Sequence, residues 1–281
     1  MHWDADLRLI VQALRDSGSI AEAVPWDAEA VAWDRFDLVV IRSAWDYAER
    51  IGEFLAWAET TARLTRLRNP ATVVCWNSDK RYLLDLAKQG VAVVPTLFIE
   101  PGTQPIRGDF ERIGGVVVKP AISAGAVDTA RYEPHQSADA MQHAEMLLGQ
   151  GRVVMVQPYL RLVEEGERAL VFVSGTFSHA IRKGPVLTEP GVLDNDRVPH
   201  PDVARYTPTA EEVATAQTAL AAVPSLDPPL FARVDLVLDD NRIPTVMELE
   251  LIEPNLFLVD NPRGLERLAG SVFAEAREAA S

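Results

Sequence analysis

The sequence predicts an α/β protein whose first third is a parallel strand-and-helix layer and whose last third is built from antiparallel hairpins. Two observations predict it. Phe36-Asp37-Leu38-Val39-Val40-Ile41 is a short apolar, β-branched run ending on the polar Arg42-Ser43. That is the pattern of a buried parallel strand delivering side chains at its carboxyl end. Further on, Ala169 to Val173 and Thr176 to Arg182 flank Ser174-Gly175, while Leu230 to Leu238 and Pro244 to Leu251 flank Asp239-Asp240-Asn241. Both read as hairpins.

Taken in order, Asp6 to Gly18 carries Leu7, Leu9, Ile10, Val11 and Leu14 at near-helical spacing, with Gly18 as a stop. The strand at 36–41 follows, then an amphipathic stretch from Trp45 to Leu64, the breaker Asn69-Pro70, and Thr72 to Cys75 as another strand. Asp79 to Gln89 reads as a helix stopped by Gly90, and Val91 to Phe98, broken by Pro95, as a strand entering a loop. Gly115 to Pro120 and Arg152 to Pro158 are apolar strands separated by a small-residue loop and a helix from Ser137 to Leu148. Pro185 to Pro208 holds five prolines and reads as a loop over a site, and Glu266 to Ala280 as a closing helix.

Composition narrows the function. At 281 residues and 48% hydrophobic, the chain is folded and long enough for roughly two domains. No apolar run approaches the ~20 residues of a membrane span, and the start lacks a basic-then-apolar export signal, so a cytoplasmic location without a membrane partner is expected. Cys75 stands alone, which leaves any metal to oxygen or histidine. A net charge of -14 argues against nucleic acid, which demands a basic face. A nucleotide needs only a few converging lysines and a divalent cation.

Three constellations carry chemistry. Arg233-Val234-Asp235 lies on one predicted strand, Glu248-Leu249-Glu250 on its hairpin partner, and Glu253-Pro254-Asn255 just beyond. Alternate positions share a strand face, so Glu248 and Glu250 point into one cavity, and the hairpin can set Asp235 opposite them. Clustered carboxylates repel unless a cation joins them, and oxygen-only ligands suit magnesium or manganese. The apolar neighbours Val246, Met247, Leu249, Leu251 and Ile252 favour this over a solvated acidic edge. Lys80, Lys119 and Lys183 stand at strand or helix margins, where three convergent ammonium groups suit a phosphate chain better than three unrelated surface lysines. Between two strands, Ala121-Ile122-Ser123-Ala124-Gly125-Ala126 is small enough for backbone N–H groups to approach phosphate oxygens. Gln157-Pro158-Tyr159-Leu160, followed by Gly166-Glu167, could pair with a flat heterocycle and a ribose, although a linker would read similarly.

The order of these motifs resembles the ATP-grasp superfamily over nearly the whole chain. The resemblance is closest to the branch that holds O-ureido-serine cyclo-ligases of cycloserine formation and glutathione-synthetase-like, RimK-like ligases. Arg42-Ser43-Ala44-Trp45, Asp79 to Leu83, Phe177 to Ile181 and Arg233 to Val237 carry it. It implies three parts: an N-terminal substrate domain over 1–78, a central lid domain over 79–158, and an ATP- and metal-binding catalytic domain over 159–281. Lys80, Lys119 and Lys183 would contact ATP phosphates, Ser123, Ala124 and Gly125 would cover them, Gln157 to Leu160 would hold adenine, and Glu167 the ribose. Asp235, Glu248 and Glu250 would ligate two magnesium ions, and Arg233 would stabilise the acyl phosphate and the tetrahedral intermediate. Many members carry asparagine at the position of Glu250, so the resemblance leaves Glu250 or Asn255 to complete the shell. Relatives also open with a strand before the first helix, which is expected to be absent or truncated here.

The implied reaction joins an amino-acid-like carboxylate to a nitrogen nucleophile through an acyl phosphate, within a molecule or between two. A protein that binds ATP without turnover is the competing class, and the intact carboxylate set argues against it. Arg42, Ser43, Trp45 and Asp46 are candidates for the substrate wall, with packing as the alternative for the aromatic residues; His179 reads as a packed histidine. Many family members are dimers or tetramers, which leaves a homo-oligomer open.

Overall fold

The computed structural model of the chain describes residues 4–196 and 202–279. Met1 to Trp3, Ala280, Ser281 and the middle of the Pro185 to Pro208 segment lie outside them.

The chain opens on α1 (Ala5–Asp16), capped by Asp4, whose carboxylate accepts from the N–H groups of Asp6 and Leu7 at 2.9 and 3.2 Å. Among the described residues no strand precedes it. Strand β1 (Leu38–Val40) runs parallel to β2 (Arg66–Arg68), joined by α2 (Ile51–Leu64), which buries Phe54 and Ala58. The predicted strand at Thr72 to Cys75 is instead a helix, α3 (Ala71–Asn77). Pro70 starts it with the φ a helix requires, and Val73 and Val74 pack into two different cores, which overrides their β propensity. The parallel partner of β1 is the Arg66-Leu67-Arg68 segment, where one apolar residue between two arginines hides the strand.

Helix α4 (Tyr82–Lys88) follows a turn containing Lys80. The predicted strand over Val91 to Phe98 shrinks to a bridge at Val93 and the short β3 (Leu97–Ile99), because Pro95 withholds an N–H from the ladder. An unpredicted helix, α5 (Arg107–Ile113), precedes β4 (Val116–Pro120); β5 (Ala130–Tyr132), α6 (Ser137–Gly149) and β6 (Val154–Pro158) complete a four-stranded antiparallel sheet ordered β3-β6-β4-β5. Helix α6 covers that sheet with Ala140, Ala144 and Leu147.

The remaining strands form a five-stranded antiparallel sheet, ordered β11-β10-β7-β8-β9, from β7 (Glu167–Val173), β8 (Thr176–Lys183), β9 (Ala204–Tyr206), β10 (Phe231–Leu238) and β11 (Pro244–Glu250). The β7–β8 hairpin turns on Ser174 and Gly175, both at positive φ (47° and 73°), as the predicted tight turn requires. Helix α7 (Ala210–Ala221) packs on one side of this sheet and α8 (Pro262–Ala279) on the other. No helix among the described residues is long and apolar enough to cross a membrane.

Two carboxyl-terminal and amino-terminal pieces are tied directly. Asp6 accepts from the backbone N–H groups of Leu256 and Leu258 at 3.0 and 2.8 Å, and Asn69 bonds the backbone of Leu230, Phe231 and Leu251. Asn77 holds both Leu249 O and Leu251 N, and the Tyr82 hydroxyl accepts from Leu249 N. The end of β11 is therefore fixed by side chains some 170 residues earlier.

Candidate active site

A cavity of about 530 Å³ opens between the four-stranded and five-stranded sheets. Its floor is the β10–β11 hairpin. Arg233 pairs with Glu250 and Asp235 with Glu248 across the ladder, and a bulge after Asp235 leaves Met247 without a partner. All four charged side chains line the cavity, as the period-two reading predicts.

The charges are interlocked. Arg233, 1% exposed, donates from Nε and Nη2 to the two oxygens of Asp235, at 2.9 Å each. It also bonds Glu250 and donates from Nη1 to the backbone oxygen of Asn255 at 3.0 Å. Lys183 donates to Asp235 Oδ2 at 2.8 Å and pairs with Glu167, its partner across β7 and β8. Lys80 reaches the Ser123 backbone oxygen at 2.7 Å and Glu248 at 3.3 Å. Lys119 is buried and, among the described residues, makes neither a hydrogen bond nor an ion pair. Its ammonium points into a site that supplies no anion of its own at contact distance.

Protonation follows from burial and these pairs. Burial alone would raise the Asp235 carboxyl, but Arg233 and Lys183 hold it well below the usual carboxylate range. Glu248 is held down likewise by Lys80 and Lys119 against the cost of burial. Burial wins at Glu167 and Glu250, pushed up to about 7, and at Glu253, where burial and the nearby Glu250 push it up to about 8. Burial lowers Lys119. The cavity thus holds more carboxyl groups than its four cations neutralise.

The rest of the wall includes the Ser123 to Gly125 loop, in which Gly125 and Ala126 take positive φ, and the Gln157 to Leu160 segment. Gln157 is buried and donates to Thr96 Oγ1 at 2.8 Å. Val94, Val117, Val186, Val237 and Met247 add an apolar patch that sequence patterning did not single out. Alternating Val117 and Lys119 on one strand was the signal that could have found it. Over the opening, Asn195 and Asp128 exchange two hydrogen bonds of 2.8 and 3.0 Å, Arg131 Nη2 reaches the Thr188 oxygen at 2.6 Å, and Gly191 N the Arg131 oxygen at 2.7 Å. The loop after Pro185 is thereby strapped to β5.

The substrate candidates separate. Trp45 and Asn255 line the cavity; Arg42, Ser43 and Asp46 do not. Arg42 is packed against Asp4 at 3.4 Å and over the Phe231 ring, and Ser43 Oγ donates to Asp4 at 2.6 Å. Asp46 is exposed, accepts from Trp26 Nε1 and faces Arg50. The cap of α1 holds the end of β1, with Arg42 Nε and Nη1 buried and left without a hydrogen-bond partner among the described residues. His179 is packed as read, its Nε2 2.7 Å from the Leu256 oxygen.

Magnesium bound with a nucleotide fits the donor set in chemistry, because every carboxyl is an oxygen ligand and three are crowded enough to hold protons. Among the described residues no group of three histidine, cysteine or acidic side chains is arranged around a metal position. Both Asp235 oxygens are taken by Arg233 and Lys183, whereas Glu248 and Glu250 remain about a quarter exposed to the cavity.

Known proteins share this architecture. Residues 1–69 match the family described as the N-terminal domain of the D-cycloserine synthetase DcsG. The cycloserine biosynthesis protein DcsG of Streptomyces lavendulae is 38% identical over 278 residues, spanning 95% of this chain and 92% of that protein. The crystal structure of D-cycloserine synthetase DcsG superposes with a TM-score of 0.87 at 35% identity, covering 96% of this chain and 94% of that one. A RimK-domain ATP-grasp protein of Sphaerobacter thermophilus shares the fold at a TM-score of 0.67 and 17% identity, covering 96% and 95%. An ATP-complexed D-alanine–D-alanine ligase of Bacillus anthracis shares it at 0.59 and 14%, covering 86% and 79%. The chain is an ATP-dependent ligase that belongs to the ATP-grasp superfamily, in the family of the cycloserine biosynthesis protein DcsG.

Proposed function

We propose that this enzyme activates the carboxylate of an amino-acid-like substrate as an acyl phosphate, releases ADP, and closes an amide bond to a nitrogen of the same molecule with loss of phosphate. The observation that carries the reading is the convergence of Lys80, Lys119, Lys183 and Arg233 with Asp235, Glu248 and Glu250 in one cavity. Ring closure is favoured over joining two molecules because the relative at 38% identity is a cycloserine biosynthesis protein.

In this reading residues 1–78 supply one substrate wall, 79–158 the lid and 159–281 the catalytic platform. Lys80, Lys119 and Lys183 neutralise the phosphate chain, Ser123 to Gly125 cover it, Gln157 to Leu160 hold the adenine edge and Glu167 the ribose. Lys119 has the freest hand, since it abandons no internal partner. Glu248 and Glu250 would hold magnesium, or manganese, with Asp235 joining as Lys183 turns toward phosphate; two ions are expected. Bound metal supplies positive charge that offsets the approach of one anion to another. Arg233, rigidly forked by Asp235, faces the negative oxygen that develops as nitrogen attacks the acyl carbon, and needs no reorganisation to do so. The strap from Pro185 keeps water from the acyl phosphate.

The test is product analysis of the purified chain with ATP, magnesium and a panel of O-substituted serines. ADP and phosphate, with an organic product one water lighter than the substrate, are expected. AMP and pyrophosphate would sink the mechanism, and a product joining two molecules would sink ring closure.

A further inference from the structure

Among the described residues, Glu253 is the cavity carboxylate with no cation at ion-pair distance. Glu167, Asp235, Glu248 and Glu250 each meet a lysine or arginine at ion-pair distance. Glu253 is 7% exposed, lines the same cavity, and has neither an ion pair nor a hydrogen bond. A carboxylate taken out of water without a cation costs several kcal/mol. Lys80 and Arg42 act on it from beyond ion-pair distance and do not offset burial, and its neighbours in sequence give it no relief. Pro254 has no N–H, and Ile252 and Leu256 are buried apolar side chains.

The surroundings of Glu253 differ from those of the metal-side carboxylates. It lies beyond the end of β11, where the three-residue run after Glu250 leaves the hairpin and turns toward the short 3-10 helix at Trp45–Ala48. Ile252 packs in one core with Ala44 and Tyr47. Trp45, Tyr47 and Asn255 line the cavity beside it. The Tyr47 hydroxyl and the Asn255 side-chain amide also make no hydrogen bond to the protein. One corner of the cavity therefore presents a carboxylate, a phenol and an amide, all unmatched, against an indole wall, while Arg233 touches the Asn255 backbone at 3.0 Å. Three unmatched polar ends in a buried corner define what completes them: a small cationic group with several N–H donors, carried by a ligand whose carboxylate reaches Arg233.

We propose that Glu253 is the specificity-determining residue for the free α-amine of the substrate, accepting hydrogen bonds from its ammonium group with Tyr47 and Asn255 beside it. This rests on the amino-acid reading above and sharpens it by assigning the substrate's unreacting amine to one residue. A tethered ammonium also fixes which way the carboxylate faces, which is how one carboxyl of a flexible substrate is brought to phosphate.

Calorimetric titration of the full chain with magnesium and a non-hydrolysable ATP analogue tests it directly. The probes are matched pairs that differ only in the α-amine: cycloserine against isoxazolidin-3-one, and serine against 3-hydroxypropanoate, in both hands. The amine-bearing member is expected to bind about 10- to 100-fold more tightly, the range of a charge-assisted hydrogen bond. Glu253→Gln should erase most of that ratio while leaving the desamino affinity and the magnesium–nucleotide thermal shift as they were; Glu253→Asp should retain part of it. Equal binding within the pairs, including no binding of any amine, overturns the proposal, as does a ratio untouched by Glu253→Gln. Loss of the magnesium–nucleotide shift in Glu253→Gln overturns it too, by putting the carboxylate in the metal shell. An amine preference that depends on Glu253 in a protein that releases no ADP would defeat the ligase mechanism and leave this site standing.

Discussion

Arg233 and Asp235 lie two residues apart on β10 and share two parallel hydrogen bonds of 2.9 Å, so the guanidinium is fixed as a flat fork before any substrate arrives. Lysine cannot reproduce that fork. Arg233→Lys is expected to retain folding and nucleotide binding yet lose about 100-fold or more in turnover, as removing a preorganised donor does. Arg233→Ala leaves Asp235 and Glu250 sharing fewer cations and should cost about 3–5 kcal/mol of stability. Denaturant melts beside steady-state ADP release separate the two effects.

Lys119 carries a buried charge without a protein partner. Lys119→Met is therefore expected to raise the melting temperature of the free enzyme while abolishing ADP release. A variant that is both more stable and inactive identifies a residue kept for its ligand. Differential scanning calorimetry with and without magnesium–ATP reads both.

The crowded carboxyls set a direction for pH. Glu167 and Glu250 near 7 and Glu253 near 8 stand above the ordinary value of 4.5, so the native state binds more protons than the unfolded chain between those limits. Stability of the nucleotide-free enzyme should then fall as pH rises from about 6.5 to about 8, by the linkage of proton uptake to folding, whereas below about 6.5 His143, pushed down to about 4 by burial, and His179, also lowered by burial, act in the opposite sense. Asp235 and Glu248, held low, act in the opposite sense only below that range. Urea titrations at half-unit pH steps check the slope, and Glu253→Gln should flatten its upper part.

Asn77 satisfies Leu249 O and Leu251 N on either side of Glu250. Asn77→Ala orphans two buried backbone groups and should cost about 2–4 kcal/mol, with a matching fall in magnesium–nucleotide affinity as the hairpin end loosens. Asn77→Asp keeps the acceptor alone and should lie between. Chemical denaturation and nucleotide titration of the pair give the comparison.

Asn195 joins the Pro185 strap to Asp128 by two exposed hydrogen bonds. Asn195→Ala should leave stability within ~0.5 kcal/mol and speed nucleotide release about 3- to 10-fold. Stopped-flow displacement of a fluorescent nucleotide measures it.

Much of this site was legible in the sequence because its chemistry follows short-range periodicity. Asp235 opposite Glu248 and Arg233 opposite Glu250 come from alternation along two strands and one turn. What escaped depends on distant partners. Arg42 and Ser43 sit at a strand's carboxyl end, where ligands bind in open sheets, yet Asp4 reaches them first. Arg66-Leu67-Arg68 lacks the apolar run of a strand, since Arg66 is half-buried and Arg68 is buried by pairing with Glu275 in α8. Asn69 reads as part of a breaker and Asn77 carries no signal of its own, and only the folded chain reveals that each fastens a strand. Glu253 was visible as an acid in an apolar run, but its isolation is a property of three dimensions.

The Asp6 carboxylate finds its two donors at Leu256 and Leu258, and Asn69 finds its own at Leu230, Phe231 and Leu251. During synthesis, Asp6 waits for Leu256 and Leu258, and Asn69 for Leu251, to leave the ribosome. The parallel β1–β2 pair is too small to stand on its own. Residues 1–78 expressed by themselves should consequently not reach the native state, and a segment made before its partners is among the last to be secured. A circular permutant that places α8 and its linker ahead of α1 would reverse that order, and refolding from it should be faster if this long-range closure limits the wild-type rate.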